Sequence, residues 1–178
     1  MKRWRVLVLG SIITFGLIGT GSAAASGTGS AASSSSGKKV LQFQTMVGVT
    51  GPFVGATNPI RGVNGGGLPW QIENASGKLS SNGKLEVTVE GLVLLDAAPV
   101  PAALQGTNPI PNFVAIVSCT TISGGAPATA NVATAPFPAT TTGDSKIKAQ
   151  VSLPAPCIAP IIFVGPSPTT WFAATGLG

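Results

Sequence analysis

The sequence contains no histidine and no tyrosine, and only five of its 178 residues are acidic. Without histidine, Ser-His and Cys-His catalytic arrangements cannot be assembled, and a zinc site loses its commonest nitrogen ligand. A Ser-Lys pair at Ser145 and Lys146 fails as well, because neighbours on a strand point to opposite faces. We therefore expect a protein that is not an enzyme and that uses no metal and no cofactor.

The few acidic residues are spaced too widely for the chemistry that carboxylates usually perform. Glu86 and Glu90 share one face of a strand, but four residues of strand separate them by ~13 Å, more than the ~5 to 9.5 Å between glycosidase carboxylates. The acids are also scattered along the chain, whereas a calcium loop gathers several in one short segment. We expect Glu86 and Glu90 to pair across strands with lysines, namely Lys78, Lys146 or Lys148.

Only two cysteines occur, Cys119 and Cys157, and each lies within an apolar run. In an exported chain they have only each other as partners. Neither belongs to a Cys-x-x-Cys motif, and no histidine is present to activate a thiol. The pair therefore predicts a structural disulfide, which loop-entropy arithmetic values at about 4 kcal/mol.

Residues 1–25 have the layout of a secretory signal peptide. Met1 to Arg5 is basic, Val6 to Ile18 is largely apolar, and Ala23 to Ala25 offers small residues for cleavage. A transmembrane anchor is the alternative, but the apolar run is shorter than the ~20 residues that span a bilayer. We expect a secreted, extracellular protein with no stable membrane insertion after the leader is removed.

Removal of the leader also removes most of the excess positive charge. The loss of Lys2, Arg3 and Arg5 lowers the formal net charge from +5 to +2. The remaining basic residues are scattered and do not alternate with aromatic residues, as they would on a nucleic-acid-binding surface. We expect no nucleic-acid partner.

Residues 26–37 are rich in serine and glycine and contain no large side chain, which predicts a flexible linker. Residues 38–178 then form a single domain of about 140 residues, long enough to bury a core. This part of the chain shows no convincing helix. Its short apolar runs alternate with Gly and Pro turns, which favours a β domain.

The clearest local pattern is the hairpin around Asn82-Gly83. In Lys84–Glu90, Leu85, Val87 and Val89 alternate with polar residues and should face the core. Lys39–Thr50 similarly predicts a first strand with Leu41, Phe43, Val47 and Val49 on the inner face and Gln42, Gln44, Met46 and Gly48 on the outer face. About eight or nine such strands predict an antiparallel β-sandwich of the immunoglobulin-like or Greek-key type, with a closed β-barrel as the alternative.

The candidate ligand surface is aromatic. The connection Gly51–Leu68 exceeds the ~12 to 15 residues beyond which loops are often functional or mobile, and Trp70 follows it. Trp171 and Phe172 are neighbours on a predicted strand, so one of them lies outside the core unless a loop covers it. With Asn64 in the glycine-rich loop, Trp70, Trp171 and Phe172 would form a surface that binds a carbohydrate or a peptide.

Three segments resemble a group of small secreted bacterial proteins to which no activity is attached. The segments are Met46–Phe53, Thr57–Ile60 and Pro156–Pro160. The resemblance implies export and one compact domain, and it transfers no catalytic or ligand residue. We therefore expect a secreted or envelope-associated, non-catalytic β-sandwich that acts by surface recognition or as a structural component. Its expected partners are cell-wall polysaccharide or another envelope protein, with self-association left open.

Overall fold

The structure is a computed structural model that describes residues 37–176. These residues form antiparallel sheets with one single-turn 3₁₀ helix at Gly51–Phe53 and one two-residue parallel pairing. The predicted signal peptide and residues 26–36 of the predicted linker lie outside the described residues. Within residues 37–176, no helix is long and apolar enough to cross a membrane.

The strands divide between two main sheets and two short pairings. In chain order they are β1 (Lys39–Phe43), β2 (Val47–Gly48), β3 (Asn64–Gly65), β4 (Trp70–Gln71), β5 (Asn74–Ser80), β6 (Lys84–Glu90), β7 (Val93–Leu94), β8 (Asn112–Ser123), β9 (Ala126–Ala133), β10 (Phe137–Pro138), β11 (Ser145–Gln150), β12 (Ile158–Gly165), β13 (Thr170–Trp171) and β14 (Ala173–Ala174).

Sheet I has the order β1-β5-β6-β11. Sheet II has the order β10-β8-β12-β14-β2, with β9 also paired to β8. The chain passes repeatedly from one sheet to the other, and both contribute to one continuous core. The described strands form open sheets, so the expected sandwich is confirmed and the alternative of a closed β-barrel is wrong.

The hairpin of β5 and β6 forms as its sequence predicts. Gly83 has a φ of +84°, which glycine adopts at no steric cost in a tight turn. Leu85, Val87 and Val89 are all buried, whereas Glu90 is exposed. The period of two along β6 therefore gives sheet I one apolar face toward the core and one polar outer face.

The predicted disulfide joins Cys119 in β8 to Cys157 just before β12, with 5.0 Å between the Cα atoms. Cys119 is fully buried, and Cys157 is half-buried. The residues of β8 from Phe113 to Cys119 are all buried, so both faces of this strand are covered. The disulfide thus fastens a central strand of sheet II to the segment that leads into its neighbour.

The predicted first strand, Lys39–Thr50, is wrong in its continuity and in part of its facing. The chain leaves sheet I after Phe43 and enters sheet II at Val47. This change of sheet breaks the alternation at Met46 and Val47, whereas Val49 is buried as predicted. Met46, expected on the outer face, is 4% exposed, and Val47, expected inside, is 37% exposed.

The long connection Gly51–Leu68 is tied to the body of the domain by Arg61. The Arg61 Nη1 atom donates to the carbonyl oxygens of Ser118 and Ala159, at 3.0 and 2.9 Å. The Arg61 carbonyl in turn accepts a 2.9 Å hydrogen bond from Asn131 Nδ2. One side chain and its own carbonyl therefore attach this connection to β8, to β9 and to the bulge in β12, close to the disulfide.

Candidate functional site

The aromatic residues predicted to form a ligand surface lie in the interior. Trp70 stacks on Phe172 with 3.7 Å between ring centroids, and the two side chains are 3% and 5% exposed. Trp171 is 1% exposed and packs against Phe163 at 5.8 Å. The expected exposed aromatic surface is therefore wrong. Phe172 lies between β13 and β14, where Trp70 and Gly66 cover the ring that would otherwise face outward.

Asn64, the fourth predicted residue, is half-buried in β3. Its main-chain N–H donates to the Thr169 carbonyl at 2.9 Å, which begins the parallel pairing of β3 with β13. The structure therefore brings Asn64 to the strand that carries Trp171, but in a main-chain pairing and not on an aromatic surface. A shallow apolar depression of about 350 Å³ is lined in part by Trp70 and Phe172. Neither ring offers it an open face for stacking.

Three adjoining depressions lie on the outer side of sheet I, with volumes of about 550, 180 and 410 Å³. Thr88, in the middle of β6, lines all three. We call this surface the polar face. The side chains along it are mainly amides, hydroxyls and charges of both signs, contributed by Gln42, Gln44, Asn74, Ser76, Lys78, Glu86, Thr88 and Glu90, with Glu73, Asp144 and Lys146 at one end.

The polar face follows directly from strand periodicity and register. Every second residue of β6 points outward, which places Glu86 and Thr88 on the same side. The pairing register sets Lys78 of β5 and Lys148 of β11 beside Glu86. It sets Ser76 and Lys146 beside Thr88 in the same way, so hydroxyl and charged groups form rows across the strands.

Glu86 forms two salt bridges on the polar face. Its carboxylate oxygens lie 3.0 Å from Lys78 Nζ and 3.1 Å from Lys84 Nζ. Hydrogen bonds from Lys78 and then Lys84 hold the pKa of Glu86 below its usual value, against the opposing effect of desolvation. The predicted cross-strand pair with Lys78 is confirmed. Lys84 was missed as a partner, although residues two apart on a strand share a face.

Asp144 closes one end of the polar face by joining two turns. Its Oδ1 accepts the Gly91 N–H at 3.0 Å, and its Oδ2 accepts the hydroxyls of Thr142 and Thr140 at 2.8 and 3.3 Å. These bonds, led by that from Gly91, hold the pKa of Asp144 below its usual value. The carboxylate therefore fixes the β10–β11 turn against the bend that follows β6.

Three of the acids that lie far apart in the sequence line one depression. Glu73, Glu90 and Asp144 meet there with Lys146. The sequence contains a signal that would have brought two of these acids together. Extending the strand pairing of the hairpin to the ends of β5 and β6 sets Asn74 opposite Glu90, and Glu73 is the residue before Asn74. Within residues 37–176, no three His, Cys, Asp or Glu side chains are arranged to hold a metal ion.

The Ser145 hydroxyl is occupied by a structural bond. It donates to the Pro138 carbonyl at 2.8 Å, and the side chain is 5% exposed. Lys146, the next residue, is exposed on the polar face. The two side chains therefore point to opposite faces of β11, as the strand geometry predicts. What the polar face offers chemically is a set of hydrogen-bond donors and acceptors with charges of both signs.

Comparison of the chain with protein-family models, with curated proteins and with solved structures finds no match in any of the three. The resemblance to small secreted bacterial proteins stays a prediction.

Proposed function

We propose that this protein is an exported, non-catalytic recognition module of the cell envelope, and that its polar face binds a hydroxyl-rich polymer such as cell-wall polysaccharide. The observation that carries the proposal is the meeting of three depressions at Thr88 on one sheet face. An extended ligand can lie along such a row of adjoining depressions.

The chemistry of the polar face supports a polyol ligand. Gln42, Gln44 and Ser76 provide donors and acceptors that match sugar hydroxyls, and the paired charges around Glu86 add charge-assisted hydrogen bonds without a strong field of one sign. The polar face is open, and no aromatic side chain lines its depressions. We therefore expect each protein molecule to bind the polymer weakly, and the overall affinity to rise when several molecules linked to one another bind the same polymer.

The disulfide supports the part of the proposal that concerns export. The Cys119–Cys157 disulfide is of the kind that persists in oxidising compartments, and it fits export through the predicted signal peptide at residues 1–25. Amino-terminal sequencing of protein collected from the medium tests the export step directly. A mature start near residue 26 is expected, and retention of the leader in the cell would contradict it.

Binding is tested by retention of the purified protein on insoluble cell-wall polysaccharide, with a Thr88→Arg variant. The arginine would fill the point where the three depressions meet, so we expect retention to be lost. Thr120→Arg is the matched control, because Thr120 is a half-buried strand threonine of sheet II. Thr120→Arg should be retained like the native protein. A native protein that wall polysaccharide does not retain, or retention of Thr88→Arg at the native level, would refute the proposal.

A further inference from the structure

Strand β9 forms an edge of sheet II. It pairs with β8 in a continuous register from Ala126 opposite Ser123 to Ala133 opposite Ile116. Among residues 37–176, no strand pairs with its other side. A free strand edge presents unpaired N–H and C=O groups that can extend the sheet with another strand.

The register identifies which main-chain groups point away from β8. Gly124 and Gly125 form a two-residue hairpin loop with φ of +58° and +82°, and such a loop closes on a hydrogen-bonded pair, here Ser123 and Ala126. The 2.9 Å bond from Thr134 N to the Ala115 carbonyl fits the same alternation. Even-numbered residues therefore bond to β8, and the N–H and C=O groups of Thr129, Asn131 and Ala133 point outward.

This edge lacks the charges that normally prevent sheets from joining. The residues of β9, Ala126–Ala133, include no charged side chain, and their one protective feature is Pro127 near the hairpin end. The two edges of sheet I differ, because β1 carries Lys39 and β11 carries Lys146 and Lys148. The longest edge strand of the described chain thus carries no charge.

We propose that β9 pairs antiparallel with β9 of a second copy of this chain, around a two-fold axis at Ala130. This register sets the outward groups of Thr129 against those of the partner's Asn131, so that each exchanges N–H···O=C bonds with the other. Pro127 then lies opposite the partner's Ala133 at the end of the ladder, where its missing N–H removes one bond.

In this register the side chains of two β9 strands are compatible with each other. This compatibility indicates that the strand that pairs with β9 comes from a second copy of the chain. Ala130 meets the partner's Ala130 at the axis, where the small side chains allow close approach of a non-hydrogen-bonded pair. Thr129 and the partner's Asn131 form a polar, uncharged pair, so no like charges oppose each other. A two-fold axis closes the assembly at two copies and consumes the free edge of both. Since β9 belongs to sheet II, this interface leaves the polar face of sheet I open.

The mass of the purified protein in solution, measured by sedimentation equilibrium over a series of concentrations, tests the interface. We expect a dimer. Thr129→Lys with Asn131→Lys puts lysine opposite lysine twice across the axis and should raise the dissociation constant by about tenfold. The matched variant Thr129→Lys with Asn131→Glu puts opposite charges together and should dimerise like the native protein.

Amide hydrogen exchange of the native protein gives a readout that needs no variant. The amides of Thr129, Asn131 and Ala133 should be protected in the dimer and exchange faster on dilution, whereas the amides of Ala128 and Ala130, bonded to β8, should stay protected. A native protein that remains a monomer at every concentration overturns the proposal. A dimer in which the amides of Thr129, Asn131 and Ala133 exchange freely also overturns it. So does a dissociation constant that is the same for both double variants.

Discussion

At the scale of single residues, Asp144 shows how a half-buried carboxylate can be structural. All three of its side-chain hydrogen bonds require an acceptor: one is to the Gly91 N–H, and two are to threonine hydroxyls. Protonation would replace one acceptor by a donor and break part of this network. The same network explains the lowered pKa, because the charged form is the one that it stabilises.

We predict that Asp144 makes stability depend on pH in the acid range. Its folded-state pKa lies below the ordinary value of 3.8, so its contribution is complete above that pH and is lost as the pH falls through the folded-state pKa. Asp144→Asn should therefore lower the thermal midpoint at pH 6 but differ much less from the native protein at pH 2. Calorimetry at the two pH values checks this.

The control for this experiment is Asp96→Asn, since Asp96 is exposed at a loop. It should leave the thermal midpoint nearly unchanged at both pH values. A constant gap between native protein and Asp144→Asn across the acid range would contradict the assigned role.

At the scale of elements, Gly66, the residue that follows β3, is required for close packing. A Cβ atom on Gly66 would lie 2.8 Å from Phe172 Cδ1 and 3.2 Å from Trp70 Nε1. Gly66 leaves the space into which the Trp70–Phe172 stack fits, and this stack covers the aromatic ring between β13 and β14.

We predict that Gly66→Ala lowers the free energy of unfolding by about 1 to 3 kcal/mol, the usual cost of overpacking a core. Gly67→Ala is the matched control, because no atom lies within 4 Å of its added Cβ. Gly67→Ala should therefore be close to neutral. Urea unfolding followed by tryptophan fluorescence measures both variants, and equal midpoints for the two would contradict the packing role.

Strands were predicted best from the sequence where one face of the strand is buried and the other is exposed to solvent. The period of two in β6 and the Asn82-Gly83 turn were sufficient for the β5–β6 hairpin and the inward residues of β6. The sequence could not show that Lys39–Thr50 changes sheets, because the apolar pattern is nearly continuous there. Two-residue strands such as β3 and β13 also carry no periodic signal, since distant segments create their pairing.

At the scale of the whole molecule, the candidate site is the polar face and not the aromatic surface that the sequence predicted. The burial of Trp70 and Phe172 depends on segments about a hundred residues apart meeting between the sheets, which periodicity within either segment cannot report. The polar face, in contrast, could have been predicted from the sequence. It is the outward half of the hairpin that was predicted, joined by β11 in register.

The disulfide acts at this largest scale, because the 38-residue separation between Cys119 and Cys157 includes strands of both sheets. The chain between the cysteines holds β9 and β10 of sheet II and β11 of sheet I. In the unfolded chain the bond closes this whole segment into a loop, and the lost chain entropy corresponds to about 4 kcal/mol as an upper value.

We therefore predict that reduction lowers the free energy of unfolding by about 2 to 4 kcal/mol while leaving the sandwich folded. Urea unfolding of the oxidised and reduced native protein measures this, and both forms keep the same side-chain volume at the buried Cys119. Cys119→Ala with Cys157→Ala should be less stable than the reduced protein, because it adds a cavity to the lost cross-link. Equal urea midpoints for the oxidised and reduced forms would show that the bond contributes nothing to stability.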